Sequence, residues 1–227
     1  MDTVVISIGG SIIATESMDA QFVKKVAALI REESKKFKIY AVVGGGKTAR
    51  NYIDAARKLG ADESTLDDIG IAATRLNARL LIAALGNAAN PVPPEDINDA
   101  AALGKCYEIV VMGGTVPGHT TDAVAASLAE KVGAKRFINA TSVDGVYTAD
   151  PKKDKNAKKI EHLTHRELME IVAKNGMGAG VNSVIDPVAA LILFRSKLET
   201  VVVKGSDLAQ LKKAIEGKDC GGTVVKS

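Results

Sequence analysis

Three short apolar runs in this chain each stop at a cluster of glycines, and each cluster opens a helical pattern. Residues 3–8 end at Gly9-Gly10-Ser11, residues 39–43 run into Gly44-Gly45-Gly46, and residues 109–112 lead to Gly113-Gly114-Thr115. Short β-branched runs bounded by glycine read as buried strands. Strands that alternate with helices require crossover connections, hence a parallel sheet covered on both faces. The expected fold class is α/β, a three-layer αβα sandwich around a mainly parallel sheet. In such a sheet all three glycine turns fall at the carboxyl ends of strands, the usual ligand side.

Other punctuation fills in the remaining elements. Asp19 caps a helix with Phe22, Val26, Leu29 and Ile30 inward, and a second helix after Gly46 turns Ala49, Ile53 and Ala56 inward. A third is expected over about 67–85, with Ile69, Ala72, Ala73, Leu76, Leu80 and Ala83 toward a core. A helix opens near Asp122, and a strand over 136–140 leads into a long polar loop. Thr164-His165-Arg166-Glu167 has the form of a capping box, and Asp186-Pro187 places a cap before a first-turn proline. A strand over 200–203, a helix over 208–215 stopped by Gly217 and a strand over 223–225 complete the chain. With no repeat or Pro/Ser-rich linker, the 227 residues are expected to form one domain of two lobes around a cleft.

Composition excludes several classes. Thirty basic and 27 acidic residues are intermixed, aromatics are 4% and Trp is absent, so no basic groove with aromatic platforms is indicated. The basic stretch 152–159 carries Asp154 and reads as a solvated loop. Cys106 and Cys220 form neither a disulfide framework nor a paired-cysteine metal motif. No apolar run is expected to reach the ~18–20 residues that span a bilayer. The first basic residue is Lys24, unlike the charged start of a signal peptide, and the expectation is a cytoplasmic protein.

Glycine lets backbone approach an anion closely, and a helix N-terminus offers unpaired N–H groups and the positive end of a dipole. Three such turns on one sheet edge favour phosphate binding and supply donors for two phosphorylated ligands. The stretch 41–48 nearly satisfies the Walker A spacing, but Val42 and Val43 continue the strand and leave too short a loop to wrap a phosphate. Gly176-Met177-Gly178-Ala179-Gly180 follows no strand, lacks the dinucleotide spacing and reads as a flexible or substrate-covering loop. His162 and His165 lack a third metal ligand and are expected on solvated surface, whereas His119 lies inside the third glycine loop. Asp122 suits either a helix dipole or a magnesium ion beside a transferred phosphoryl group.

Four motifs in order carry a resemblance: Gly44-Gly-Gly-Lys-Thr-Ala-Arg50, Asp67-Asp-Ile-Gly70, Gly113-Gly-Thr-Val-Pro-Gly-His-Thr-Thr-Asp122 and Val143-Asp-Gly-Val-Tyr-Thr-Ala-Asp-Pro151. Together they resemble the UMP kinase family, in its archaeal form, within the amino acid kinase superfamily. The resemblance runs from residue 6 to residue 225 and implies the amino acid kinase fold. It implies ATP-dependent phosphorylation of UMP to UDP in pyrimidine nucleotide synthesis, assisted by Mg2+. The N-terminal lobe, about 1–135, would bind UMP, and the C-terminal lobe, about 136–227, would bind ATP. Ser7, Ile8, Gly9, Gly10, Ser11, Gly46 and Arg50, with Thr141, Tyr147 and Asp150, would form the ATP site. Gly45, Asp67, Thr115, Val116, Pro117, Gly118, His119, Thr120 and Thr121 would form the UMP site.

The chain departs from its relatives where charge matters. Much of the superfamily has lysine where this chain has Ser7, and bacterial members have lysine at Ser142 and asparagine at Lys47. Phosphoryl transfer needs fixed positive charge. The expected catalytic set is Lys47, Arg50 and Asp122, with Lys47 and Arg50 replacing the missing cations and magnesium held mainly by ATP. The resemblance also implies a hexamer built from dimers and feedback by UTP. Rival readings are a kinase of another small phosphate, such as isopentenyl phosphate, and a non-catalytic oxyanion binder like the molybdate-storage proteins. The first branch typically has a histidine shortly after the middle loop, where this chain reads Lys-Thr-Ala-Arg-Asn.

Overall fold

In chain order the elements are β1 (Asp2–Ile8), α1 (Gly10–Ile13), α2 (Ala20–Glu33), β2 (Phe37–Val43), α3 (Gly46–Lys58), α4 (Glu63–Leu85), α5 (Ile97–Leu103), β3 (Ile109–Met112) and α6 (Thr121–Lys131). There follow β4 (Arg136–Thr141), β5 (Val146–Tyr147), β6 (Lys159–Ile160), β7 (His162–Thr164), α7 (His165–Gly176), α8 (Pro187–Ser196), β8 (Glu199–Lys204), α9 (Leu208–Glu216) and β9 (Thr223–Lys226). The computed structural model describes residues 1–14, 19–149, 154–176 and 184–227.

Strand residues alternate between two buried faces. Val4, Ile6, Ile8, Ile39, Ala41, Val43, Ile109 and Val111 face one core, against α1, α2, α4 and α9. Val5, Tyr40, Val42, Val110, Met112 and Phe137 face the other, against α5, α6, α7 and α8. Burial on both faces explains why the strands read as unbroken apolar runs. The seven-stranded sheet has the order β3-β2-β1-β4-β8-β9-β7. Neighbours are parallel except β8 and β9, whose antiparallel pairing places Thr200 opposite Val225. The result is the expected αβα sandwich, with the β5–β6 hairpin inside what reads in sequence as a polar loop.

Side-chain caps fix the helix starts. Asp19 accepts from the N–H groups of Gln21 and Phe22, Asp62 from Thr65, Asp96 from Asn98 and Asp99, and Asp186 from Val188 and Ala189. The capping box is present: Thr164 N–H donates to Glu167 Oε2 at 2.7 Å, and Glu167 N–H to Thr164 Oγ1 at 3.2 Å. Each such cap stabilises its helix by ~1 kcal/mol.

Four expectations need correction. First, α4 begins at Glu63 rather than near 67, because Asp62 caps it. Second, its inward face is Leu66, Ala73, Ala78, Leu81, Ile82 and Leu85, while Ala72 and Ala83 are exposed and Leu76 is 56% exposed. Third, α4 and the turn after it are long and apolar enough to cross a membrane by length and composition alone. That stretch nevertheless contributes to the core beside β2 and β3, and polar residues Thr74 and Asn77 are buried within it. Fourth, His165 is buried, its Nε2 2.8 Å from the Leu198 carbonyl, because it opens α7 against the start of β8. The Gly176–Gly180 motif lies, past its first residue, outside the described residues.

Candidate active site

The glycine turns of β1 and β2 touch backbone to backbone. A Cβ on Gly10 would stand 1.9 Å from the Gly46 nitrogen and 2.7 Å from the Gly44 carbonyl carbon, so only glycine permits this approach. Gly46 itself has φ +59, in the left-handed region. Gly44 N–H donates to the Ile8 carbonyl at 2.9 Å, and Lys47 N–H to the Ala14 carbonyl at 3.4 Å. Only Gly44 and Gly45 separate β2 from α3, which bears out the rejection of a Walker A loop.

Helix α4 holds these turns from behind. Buried Asn77 donates from Nδ2 to the carbonyls of Gly44 (2.9 Å) and Gly45 (3.0 Å). Thr74 Oγ1 accepts from Gly114 N–H at 2.7 Å, bringing the third turn onto the same helix. Two turns nearer the N-terminus, Asp67 Oδ2 accepts from Gly118 N–H at 2.7 Å.

The second and third turns, with α3 and α4, border a cavity of about 290 Å³. Its lining brings together Gly45, Gly46, Arg50, Asp67, Val116, His119, Thr120 and Thr121, residues from three of the four motifs. Thr115, Pro117 and Gly118 belong to the same loop but do not line the cavity. Lys47 occupies the second position of α3, directly after the cavity-lining Gly46. A larger cavity of about 380 Å³ lies at the opposite sheet end, beside Arg136 and Glu199 at the starts of β4 and β8. Size does not favour it as a ligand site, because Arg136 is bonded to Glu199 at 2.5 Å and to the Ile215 carbonyl at 3.1 Å.

Behind the cavity lies an acidic centre. Asp122 Oδ1 accepts from Ser7 Oγ at 2.6 Å, and Asn139 Nδ2 lies 3.4 Å from Oδ2. Burial pushes the Asp122 carboxyl up to about 6, and nearby Asp186 adds to the rise against the Ser7 and Asn139 bonds. Asp186 also accepts a hydrogen bond from the Thr120 hydroxyl, linking the α8 cap to the cavity loop. Among the described residues, no group of three His, Cys, Asp or Glu side chains is placed to hold a metal alone.

On the other side of the turns, the ends of β1, β4 and β8 join. Gly9 N–H donates to the Ala140 carbonyl and Gly205 N–H to the Thr141 carbonyl, both at 2.8 Å. Gly9, Gly10 and Ser11 are open or partly open here, whereas Ser7 and Ile8 are each 1% exposed and sit behind the turn. Tyr147 Oη donates to Asp144 at 2.8 Å, which fixes its ring in the β5–β6 hairpin. Asp150 lies outside the described residues.

Sequence reasoning missed Asp186 as a site residue, reading it only as a cap, and missed Asn139, Thr74, Arg75 and Asn77. The available signal was polar residues at 74 and 77 interrupting an apolar helical stripe, which a buried helix tolerates only where they meet partners.

A mainly parallel sheet with glycine turns at its strand ends, two of them bordering a cavity lined by Arg50 and Asp67, defines a phosphate-handling enzyme of the amino acid kinase fold. The profile of the amino acid kinase family matches residues 2–204, and the chain belongs to that family. The uridylate kinase of Archaeoglobus fulgidus is 50% identical over 222 residues, 98% of this chain and 99% of the relative. That of Pyrococcus abyssi is 47% identical over 221 residues, 97% and 98% of the two chains. A crystal structure of uridylate kinase from Archaeoglobus fulgidus superposes with a TM-score of 0.90 at 49% identity, covering 99% of this chain and 100% of that one.

Proposed function

We propose that the chain transfers the terminal phosphoryl group of ATP to UMP, yielding UDP and ADP. The convergence of Gly45, Gly46, Arg50, Asp67, Thr120 and Thr121 on one cavity carries this reading. The name uridylate kinase on full-length relatives at about half identity supports it. UMP would occupy the cavity on the β1–β3 side, in the lobe spanning about 1–135. ATP would lie on the lobe spanning about 136–227, at the end of β4, and reach the Gly9–Ser11 turn of the other lobe.

A UMP phosphate oxygen attacks the γ-phosphorus in line as the bond to the β–γ bridging oxygen breaks, and ADP leaves with that electron pair. No general base is needed, since a phosphate monoester with a second pKa of about 6 is already dianionic near pH 7. The protein's work is to align two anions and balance their charge. Arg50 borders the cavity with a guanidinium whose fork suits two phosphates. Lys47, at the helix start beside Gly46, adds charge near the position where Ser7 supplies none. Asp67 keeps one carboxylate oxygen for the loop and has the other for a ribose hydroxyl.

The donor chemistry around Asp122 fits magnesium. The nearby Asp186 carboxylate adds to the cost of ionising Asp122, and a cation would relieve it. These two residues would hold the ion together with ATP oxygens, and the ion would neutralise charge on the donor phosphates.

The outer side of α3 and α4 is the proposed contact between copies. Tyr52 is 63% exposed and lines an apolar groove of about 260 Å³ with Thr48, Ile69, Ala72 and Leu76. Light scattering that finds only the 23.7 kDa chain would refute this contact.

31P NMR of the chain with ATP, magnesium and UMP tests the reaction. Equal growth of UDP and ADP signals is expected; ADP with free phosphate and no UDP would overturn it.

A further inference from the structure

Arg75 on α4 bonds two successive carbonyls of the cavity loop. Its Nε donates to the Gly114 carbonyl at 3.1 Å and its Nη2 to the Thr115 carbonyl at 3.3 Å. The same Nη2 reaches the Glu95 carbonyl at 3.3 Å, and Nη1 pairs with the Glu95 carboxylate at 3.2 Å. One guanidinium thus ties the segment before α5 to the first residues of the loop.

Its neighbour completes the grip. Thr74 Oγ1 accepts from Gly114 N–H while Arg75 holds the Gly114 carbonyl, so that residue is fixed at both ends. A Cβ on Gly113 would stand 2.7 Å from both the Arg75 nitrogen and Thr74 Oγ1, so the loop backbone lies directly on the helix. From that anchor the chain passes through Val116, which lines the cavity, to Gly118, bonded to Asp67, and on to His119 and Thr120. A shift at Gly114 is therefore transmitted to the whole acceptor side.

We propose that Arg75 is a positioning residue for the acceptor nucleotide, setting affinity for the monophosphate through the Gly114 and Thr115 carbonyls without touching the transferred group. The proposal rests on the UMP-kinase reading of this cavity. The guanidinium's planar fork is what the site uses; a lysine ammonium offers point charge without that geometry. The solvent-exposed carboxylate of Glu95 adds little, as exposed ion pairs do.

Steady-state kinetics of wild type, Arg75→Met, Arg75→Lys and Glu95→Gln, with UMP and ATP varied separately, tests the proposal. Arg75→Met should raise the KM for UMP about tenfold, the effect of losing about one well-made bond to a charged donor, with kcat and the KM for ATP changed less than threefold. Arg75→Lys should recover part of the loss, and Glu95→Gln should match wild type. Backbone hydrogen exchange at residues 114–119 should speed up in Arg75→Lys, which retains the charge. If wild type turns over UMP and both Arg75 variants keep its KM, the proposal fails alone. Equal losses in kcat and in both KM values, tracking a lower melting temperature, also overturn it as a merely structural effect. A wild type that ignores UMP overturns the functional reading and this proposal with it.

Discussion

Asp122, among the described residues, is held well above the usual carboxylate range by its surroundings. Its carboxyl is raised from 3.8 to about 6, chiefly by burial and further by Asp186, against bonds from Ser7 and Asn139. The protonated form is thus favoured in the folded state more than in the unfolded chain. Stability is undiminished below the unfolded value and falls as pH rises toward 6, then levels off; two units correspond to about 3 kcal/mol. Asp122→Asn should therefore gain on wild type by about that amount between pH 4 and 7 in urea denaturation. A pH-independent difference would contradict the assignment. Lys47 is the second residue on which the account depends. Lys47→Met should lower kcat at least ~10-fold, because a preorganised donor at a developing charge contributes ~3 kcal/mol. An unchanged turnover number would remove Lys47 from the charge balance.

Among the elements, α4 does the most to connect sequence to site. It packs its apolar face on the sheet while Asn77 holds the turn after β2 and Thr74 and Asp67 hold two points of the loop after β3. Asn77→Ala should cost about 1–3 kcal/mol of unfolding free energy, since buried carbonyls lose a donor. The buried Asn77 Oδ1 has no hydrogen-bond partner, so its removal offsets part of that cost. Chemical denaturation with an unchanged midpoint would exclude this role. The sequence showed β3 with its observed bounds, and showed α3's inward Ala49 and Ala56, because short apolar runs and glycine stops are local signals. The orientation of α4 was not legible. Its inward polar positions are decided by backbone groups some 30 to 40 residues away, so Leu76 and Ala72 were assigned to a core they do not enter. His165 was misplaced for the same reason, its partner Leu198 being 33 residues distant.

At the scale of the whole molecule, the order β3-β2-β1-β4-β8 puts the three glycine turns side by side at one sheet edge, with the β4 and β8 ends adjoining. That juxtaposition was readable from strand–glycine–helix repetition, and the ordered motifs added the family. The acidic centre was not, since Ser7, Asp122, Asn139 and Asp186 come from four distant segments. The proposed transfer from ATP to UMP places UMP in the cavity bordered by the loop of residues 115–121. A coupled ADP-release assay with ATP and magnesium, comparing UMP, CMP, AMP and isopentenyl phosphate, tests it most directly. Turnover with UMP well above the other three is the predicted result. Preferential turnover of isopentenyl phosphate or AMP, or ATP binding with no turnover of any acceptor, would contradict it.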